Sequence, residues 1–261
     1  MTARMTPLTY VYGIVVSDRR PALARVPDGL PGASPLRLIE IARGRYLAAA
    51  DVNARDYGEA AINDRLSNLE WVSRAAMAHE AVLEALASRA TVLPMKLFTI
   101  YTSDERAVAD IARDRARIDA LVRRVGGHDE FGVRVVLDRA NAARRQTRAR
   151  TATRPAATGI AYLAGKKAQR DVAIERAAHA RGAVADLYDR LARRARLARR
   201  RAAGELTAGG GPLLLDAAFL VPRARSRAFR GVVAREARAL ATHGYAVTLT
   251  GPWPPYTFVQ E

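Results

Sequence analysis

Residues 67–100, SNLEWVSRAAMAHEAVLEALASRATVLPMKLFTI, decide the reading of the fold. Ser67 and Glu70 have the spacing of a capping box, in which hydroxyl and carboxylate satisfy each other's first-turn amides. Beyond them Leu69, Val72, Ala76, His79, Leu83 and Leu86 recur at three- and four-residue steps, with Glu70, Arg74, Glu80 and Glu84 on the other side. That period predicts an amphipathic helix of about five turns. Thr91 to Ile100 then turns to β character, and Pro94, which cannot donate to a ladder, confines it to an edge or a bulge. A helix closed by a strand places the chain in a mixed α and β class.

Toward the N-terminus, Leu8 to Val16 (LTYVYGIVV) is a continuous β-branched and aromatic run, the pattern of a buried strand. A loop rich in Pro and Gly follows, and Leu36 to Ala42 and Tyr46 to Val52 flank Arg43-Gly44-Arg45 as a hairpin. Toward the C-terminus, Thr102 and Glu105 form a second capping box. The helix it opens carries Val108, Ile111, Ile118, Leu121, Val122 and Val125, and stops at Gly126-Gly127. Phe131 to Leu137 reads as a strand. Arg139 to Ala157 has no apolar period and is expected to be a flexible linker. Helix formers dominate from Gly159 to about Arg201, followed by Gly209-Gly210-Gly211-Pro212, a strand (Leu213 to Val221), a helix (Arg223 to Thr242), a strand (Tyr245 to Thr250) and an irregular tail.

These elements make an α+β protein of two α/β domains: residues 1–127, and residues 128–261 with a long basic helix and an aromatic-proline tail. The order of the second is compatible with a ferredoxin-like split βαβ unit. The boundary near Gly127 competes with one inside the Arg139 to Ala157 loop.

Composition bounds the chemistry. The chain of 261 residues has no cysteine, which removes disulfides, thiolate metal sites and a Cys nucleophile together. No signal peptide and no bilayer-length apolar run are visible, so a cytoplasmic, membrane-free protein is expected. The formal charge is +17, carried by 40 arginines and 3 lysines. Arg139 to Arg201 holds 18 basic and 4 acidic residues, so one segment accounts for most of the excess. It reads as a solvated face, as a docking surface for an acidic protein, or as a nucleic-acid-binding module. The last lacks interleaved aromatics, a zinc-finger pattern and an RNP-type motif.

No catalytic, metal or cofactor site emerges. His79-Glu80 resembles the start of HExxH, but residue 83 is Leu, so the second ligand is missing. Gly209-Gly210-Gly211 lacks the Lys-Ser/Thr of a P-loop, and no GxSxG elbow occurs. No enzyme and no cofactor are expected. The tail sets Trp253, Tyr256 and Phe258 among Pro252, Pro254 and Pro255. Prolines stiffen the backbone at little entropic cost, so these rings either seal a core or form a protein-binding patch.

Several of these blocks resemble the gas vesicle F/L proteins. The tail Leu249 to Val259 (LTGPWPPYTFV) is similar to the C-terminal signature of that family, and Leu69 to Glu80 leading into Thr91 to Tyr101 (TVLPMKLFTIY) is similar to another of its blocks. Tyr10 to Ile14, Phe131 to Val135 and Tyr162 to Lys167 fit as well, in the same order. The resemblance implies a two-domain accessory protein with a ferredoxin-like second domain. It also implies a minor component of the gas vesicle or its nucleating complex, contacting the major gas vesicle shell protein and other accessory proteins. The family brings no catalytic residues. Within the matching blocks the candidate protein-binding residues are Trp71, Phe98, Trp253, Tyr256 and Phe258. The Arg-rich loop Arg139 to Arg154 matches no fixed motif of the family, and the sequence does not separate F-like from L-like members.

Overall fold

A computed structural model describes residues 7–137, 181–201 and 212–259. The expected linker Arg139 to Ala157, and the helix start Tyr162 to Lys167, lie outside the described residues. The fold is mixed α/β, built on two sheets, and divides into two compact units. One unit holds the chain through Asp129 together with the residues from Trp253 onward, and the other holds Glu130–Pro252.

The first unit is organised by β1 (Leu8–Val16), whose apolar run is buried along almost its whole length. It pairs antiparallel with β3 (Arg45–Val52), which pairs in turn with β2 (Arg37–Ala42). Gly44, at φ 71°, makes the hairpin turn between them, where a side chain is disfavoured. On its other side β1 pairs antiparallel with β4 (Thr91–Pro94) and with the short β5 (Ile100–Tyr101), giving the order β2-β3-β1-β4 with β5 beside β1. β4 stops at Pro94, whereas the sequence predicts β character through Ile100: residues 95–99 are not strand, and β5 resumes at Ile100.

Two short helices, α1 (Ala54–Tyr57) and α2 (Glu59–Arg65), precede the long α3 (Leu69–Ala87). The cap of α3 is Asn68, not Ser67: its side-chain oxygen accepts from Trp71 N at 3.0 Å. Asn ranks with Ser as an N-cap, and the chain uses the one nearer the helix. Likewise Ser103, not Thr102, caps α4 (Asp104–Arg113), which breaks at Asp114 before α5 (Arg115–Val125) begins.

The inward face of α3 also differs from the seam read in sequence. Ala75, His79, Val82, Leu83 and Leu86 are buried. Leu69 is 82% exposed and Val72 only half-buried, so the core stripe begins one and a half turns later than expected.

The second unit runs β6 (His128–Leu137), of which Glu130 onward belongs to the unit, then the helical residues 181–192 (α6), β7 (Leu197–Arg200), β8 (Leu213–Pro222), α7 (Ser226–Ala241) and β9 (Tyr245–Trp253). Its sheet order is β7-β8-β6-β9, with β7 and β8 antiparallel. Phe131, Val133 and Val135 of β6, Leu187 and Leu191 of α6, Phe219 of β8 and Phe229 of α7 form its core.

The long helix expected to reach about Arg201 stops short. Residues 197–200 are a strand, and Arg196 N donates to Leu220 O at 2.7 Å at its start. Ladder bonds to β8 override the helix propensity of an Ala- and Arg-rich run. The tail departs from expectation too. β9 continues through Trp253, and Tyr256–Val259 form a short helix, α8, that packs on β4 and α5. The tail thus contributes to the first unit, whereas the sequence reading placed it with residues 128–261.

Candidate functional site

The interior of the first unit is an aromatic cluster around one histidine. β1 points Tyr10 and Tyr12 at α3, with ring centroids 4.8 Å apart, edge to face. The Tyr10 hydroxyl lies 2.6 Å from His79 Nδ1 and accepts from Phe98 N at 3.4 Å. Tyr12 stacks on His79 at 5.5 Å, and its hydroxyl accepts from Leu30 N at 2.9 Å. His79 is 5% exposed. Burial pushes its pKa down to about 4, although the Met95 backbone offsets part of the shift. Nε2 has no partner at hydrogen-bond geometry. Burial likewise pushes the Tyr12 hydroxyl up to about 12 and Tyr10 higher still, outweighing the hydrogen bonds that favour their anions. No group here is poised to exchange protons near neutral pH, and among the described residues no cluster of three metal-ligating side chains occurs. The cluster is a packing device.

The sequence-predicted residues sit around its rim. Trp71 of α3 stacks on Phe98 with centroids 5.1 Å apart and planes 11° from parallel, and tilts against Tyr57 at 6.0 Å. Arg65 lies over the Trp71 ring at 5.6 Å. Phe98 holds this position with φ 64°, a left-handed conformation unusual for a bulky residue. Trp71, Phe98 and Tyr256 are all half-buried against the same core. The fold therefore packs three candidates that lie far apart in sequence against one core, with Trp71 and Phe98 in direct contact. Phe258 is 4% exposed inside α8, and Trp253 is half-buried at the end of β9.

The residues that sequence reasoning missed are apolar and outward-facing. Leu69 at 82%, Met77 at 60% and Leu66 at 50% are the most exposed large hydrophobics among the described residues. Helical spacing puts Leu69, Val72, Ala76 and Met77 on one side of α3, and Leu66 lies in the short turn before it. Exposed Ser73 lies between Leu69 and Met77, so these are separate apolar side chains left in water rather than one continuous patch. A signal was present at one residue: Met77 falls off the seam traced through Leu69 and Leu83.

In the second unit the exposed chemistry is cationic. Asp216 receives Arg134 at 3.0 Å and Arg201 at 3.5 Å, and Glu236 of α7 receives Arg190 at 2.9 Å. Arg200 stacks over Tyr188 at 4.4 Å. No helix among the described residues is long and apolar enough to cross a membrane.

Comparison with known proteins follows the same outline. A family model described as gas vesicle synthesis protein GvpL/GvpF matches residues 8–260. Gas vesicle protein L of Streptomyces sp. (strain CB03234) is 32% identical over 267 residues, covering 96% of this chain and 92% of that protein. The crystal structure of the gas vesicle protein GvpF from Anabaena sp. PCC7120 is similar with a TM-score of 0.67 at 19% identity, over 98% of this chain and 97% of the other. GvpF from Microcystis aeruginosa gives a TM-score of 0.66 at 18% identity, over 98% and 100%. At those identities the two crystal structures support the fold alone.

Proposed function

Because this chain belongs to the gas vesicle GvpL/GvpF family, we propose that it is a non-catalytic accessory protein and minor structural component of gas vesicle assembly. It works in the cytoplasm and at the vesicle by binding the major shell protein and other accessory proteins. The observation that carries this reading is the exposure of two large apolar side chains of α3, Leu69 and Met77. Leu69, at 82% exposure, has no role in the core of its own unit and is suited to be covered by another protein. The stacked pair Trp71–Phe98, with Tyr256 and Trp253, supplies aromatic edges of the kind enriched at binding hot spots. Phe258, being buried, acts by holding the tail in place. We read the strand and helix order of the second unit, with its sheet order β7-β8-β6-β9, as the ferredoxin-like split βαβ arrangement.

Capture of the major shell protein from the same cell, on the immobilised chain, tests the reading. The double variant Leu69→Lys/Met77→Lys is expected to keep its melting temperature and lose capture. Capture equal to that of the unaltered chain, with the fold intact, would remove α3 from the binding surface.

A further inference from the structure

The outward face of α7 carries an electrostatic pattern that no described residue of its own unit balances. Arg227, Arg230, Arg235 and Arg238 are exposed and, by helical spacing, fall within an arc of about 140° along roughly 16 Å of helix. None of the four has an ion-pair partner among the described residues. The single carboxylate on the helix, Glu236, is held from the side by Arg190 Nε and NH2 at 3.1 and 2.9 Å. Arg227 and Arg230, and Arg235 and Arg238, are like charges at i, i+3, an arrangement that costs a helix stability.

The helix ends add to this cost. α3 has Asn68 as cap and Glu70 in its first turn, and α4 has Ser103 with Asp104 and Glu105. In contrast, α7 has Arg225 at the cap position, no side-chain cap bond and no first-turn acid. Positive charge at the N-terminal end of a helix opposes the macrodipole. The charges thus work against a helix that its Ala and Arg content favours, and negative charge supplied across that face relieves them.

We propose that this face of α7 is a docking surface for an acidic helix of a partner protein. Charge complementarity sets the sign. The residues between the arginines favour a helix over a nucleic acid: Gly231 and Ala234 are exposed within the row, and a Cβ added at Gly231 would meet nothing within 4 Å. Small residues between long cationic ones let a second helix approach closely while the guanidiniums close over its flanks. A phosphate backbone gains nothing from that recess, and the face has no aromatic ring to stack a base. This surface belongs to the second unit and is independent of the exposed Leu69 and Met77 of α3.

The test is fluorescence anisotropy on the full chain with a labelled helical peptide bearing glutamates along one face and alanine elsewhere. Single-stranded DNA of equal charge is the competing probe. Replacing the four arginines by glutamine is expected to weaken peptide binding by at least ~10-fold. Removing four exposed arginines of the other unit (Arg25, Arg89, Arg113, Arg117) is expected to change it by less than about twofold, the effect of net charge alone. Gly231→Leu, which favours the helix and fills the recess, is expected to weaken the peptide and leave DNA unaffected. Equal losses in the two four-site variants would overturn the proposal, as would tighter binding of DNA that depends on the same four arginines. Capture of the shell protein through α3 is expected to survive the α7 variants, so the two surfaces fail or stand separately.

Discussion

The hydroxyl of Tyr10, on the central strand of one sheet, lies 2.6 Å from Nδ1 of His79 on the helix that covers it. Sixty-nine residues separate the two in sequence. The bond ties β1 to α3 inside an otherwise apolar contact, and burial there favours the neutral imidazole.

Acid is therefore expected to loosen the first unit through His79. Its pKa lies near 4 when folded against an ordinary 6.5. Between those values the unfolded chain takes a proton that the folded chain refuses, so stability falls as pH drops from about 6.5 to about 4, by roughly 3 kcal/mol. Below that range the loss is complete. His79→Gln keeps an acceptor for Tyr10 and does not titrate. Denaturation of both proteins at pH 7.5, 5.5 and 4.5 should show the unaltered chain losing its advantage stepwise. Parallel curves would refute this assignment.

The tail residues should separate by burial. Phe258 is almost fully enclosed in α8, so Phe258→Ala is expected to cost about 3–5 kcal/mol, as large buried aromatics do. Trp253 is half-buried, and Trp253→Ala should cost less than half as much while weakening shell-protein capture. Melting curves of the two variants, read beside capture, decide which ring is structural. A larger stability loss at Trp253 would reverse the assignment.

What was legible in the sequence follows from how local each cause is. The β1 run and the hairpin at Gly44 are dictated by period and turn chemistry within a few residues and form where the pattern puts them, whereas of the α3–β4 block the helix forms but its inward face shifts and the strand stops at Pro94. The caps slipped by one residue because Ser67 and Asn68, or Thr102 and Ser103, are chemically interchangeable there. Arg196 to Arg200 read as helix because propensity is local, whereas the β8 ladder that claims the segment comes from the other side of residues 202–211. Trp71, Phe98 and Tyr256 were individually visible, but their meeting depends on the tail packing with the first unit. Leu69 was misread because a leucine on a periodic helix is assumed to face inward.

An ion-pair knot should make the junction of β2, β1 and α4 sensitive to charge. Arg37 NH2 lies 2.6 Å from Asp104 Oδ1 and 2.7 Å from Asp51 Oδ1, and Thr9 Oγ1 donates to Asp104 at 2.7 Å. Partial burial alone would raise the Asp104 pKa, but the bonds from Arg37 and Thr9 outweigh it and hold it below the ordinary value. A lowered carboxylate stabilises the fold above its unfolded pKa and stops doing so as pH falls through the folded one. Asp104→Asn should cost about 1 kcal/mol at pH 7, the site being partly solvated, with the difference narrowing toward pH 3. A difference that persists unchanged at pH 3 would mean the charge is irrelevant.

Two glycines should respond to the same substitution with opposite signs. At Gly13, beside an irregularity in the β1–β3 register, an added Cβ would lie 2.8 Å from the backbone oxygen of Leu93 and 3.0 Å from Leu83 Cδ2. The leucine side chain can turn aside, but the Leu93 carbonyl belongs to β4 and moves only with its strand. Gly13→Ala therefore forces β4 outward against α3 and is expected to cost about 1–3 kcal/mol, the range for overpacked cores. At Gly231 the added methyl meets open space on an exposed turn of α7, where glycine contributes only excess freedom to the unfolded chain. Gly231→Ala is expected to stabilise its unit by about 0.5–1 kcal/mol. Since the two sites lie in different units, hydrogen exchange resolved along the chain reads each effect where it arises. Loss of protection in β1 and β4 should accompany Gly13→Ala, and gain in α7 should accompany Gly231→Ala. If both variants shift protection in the same direction, backbone freedom rather than space governs Gly13.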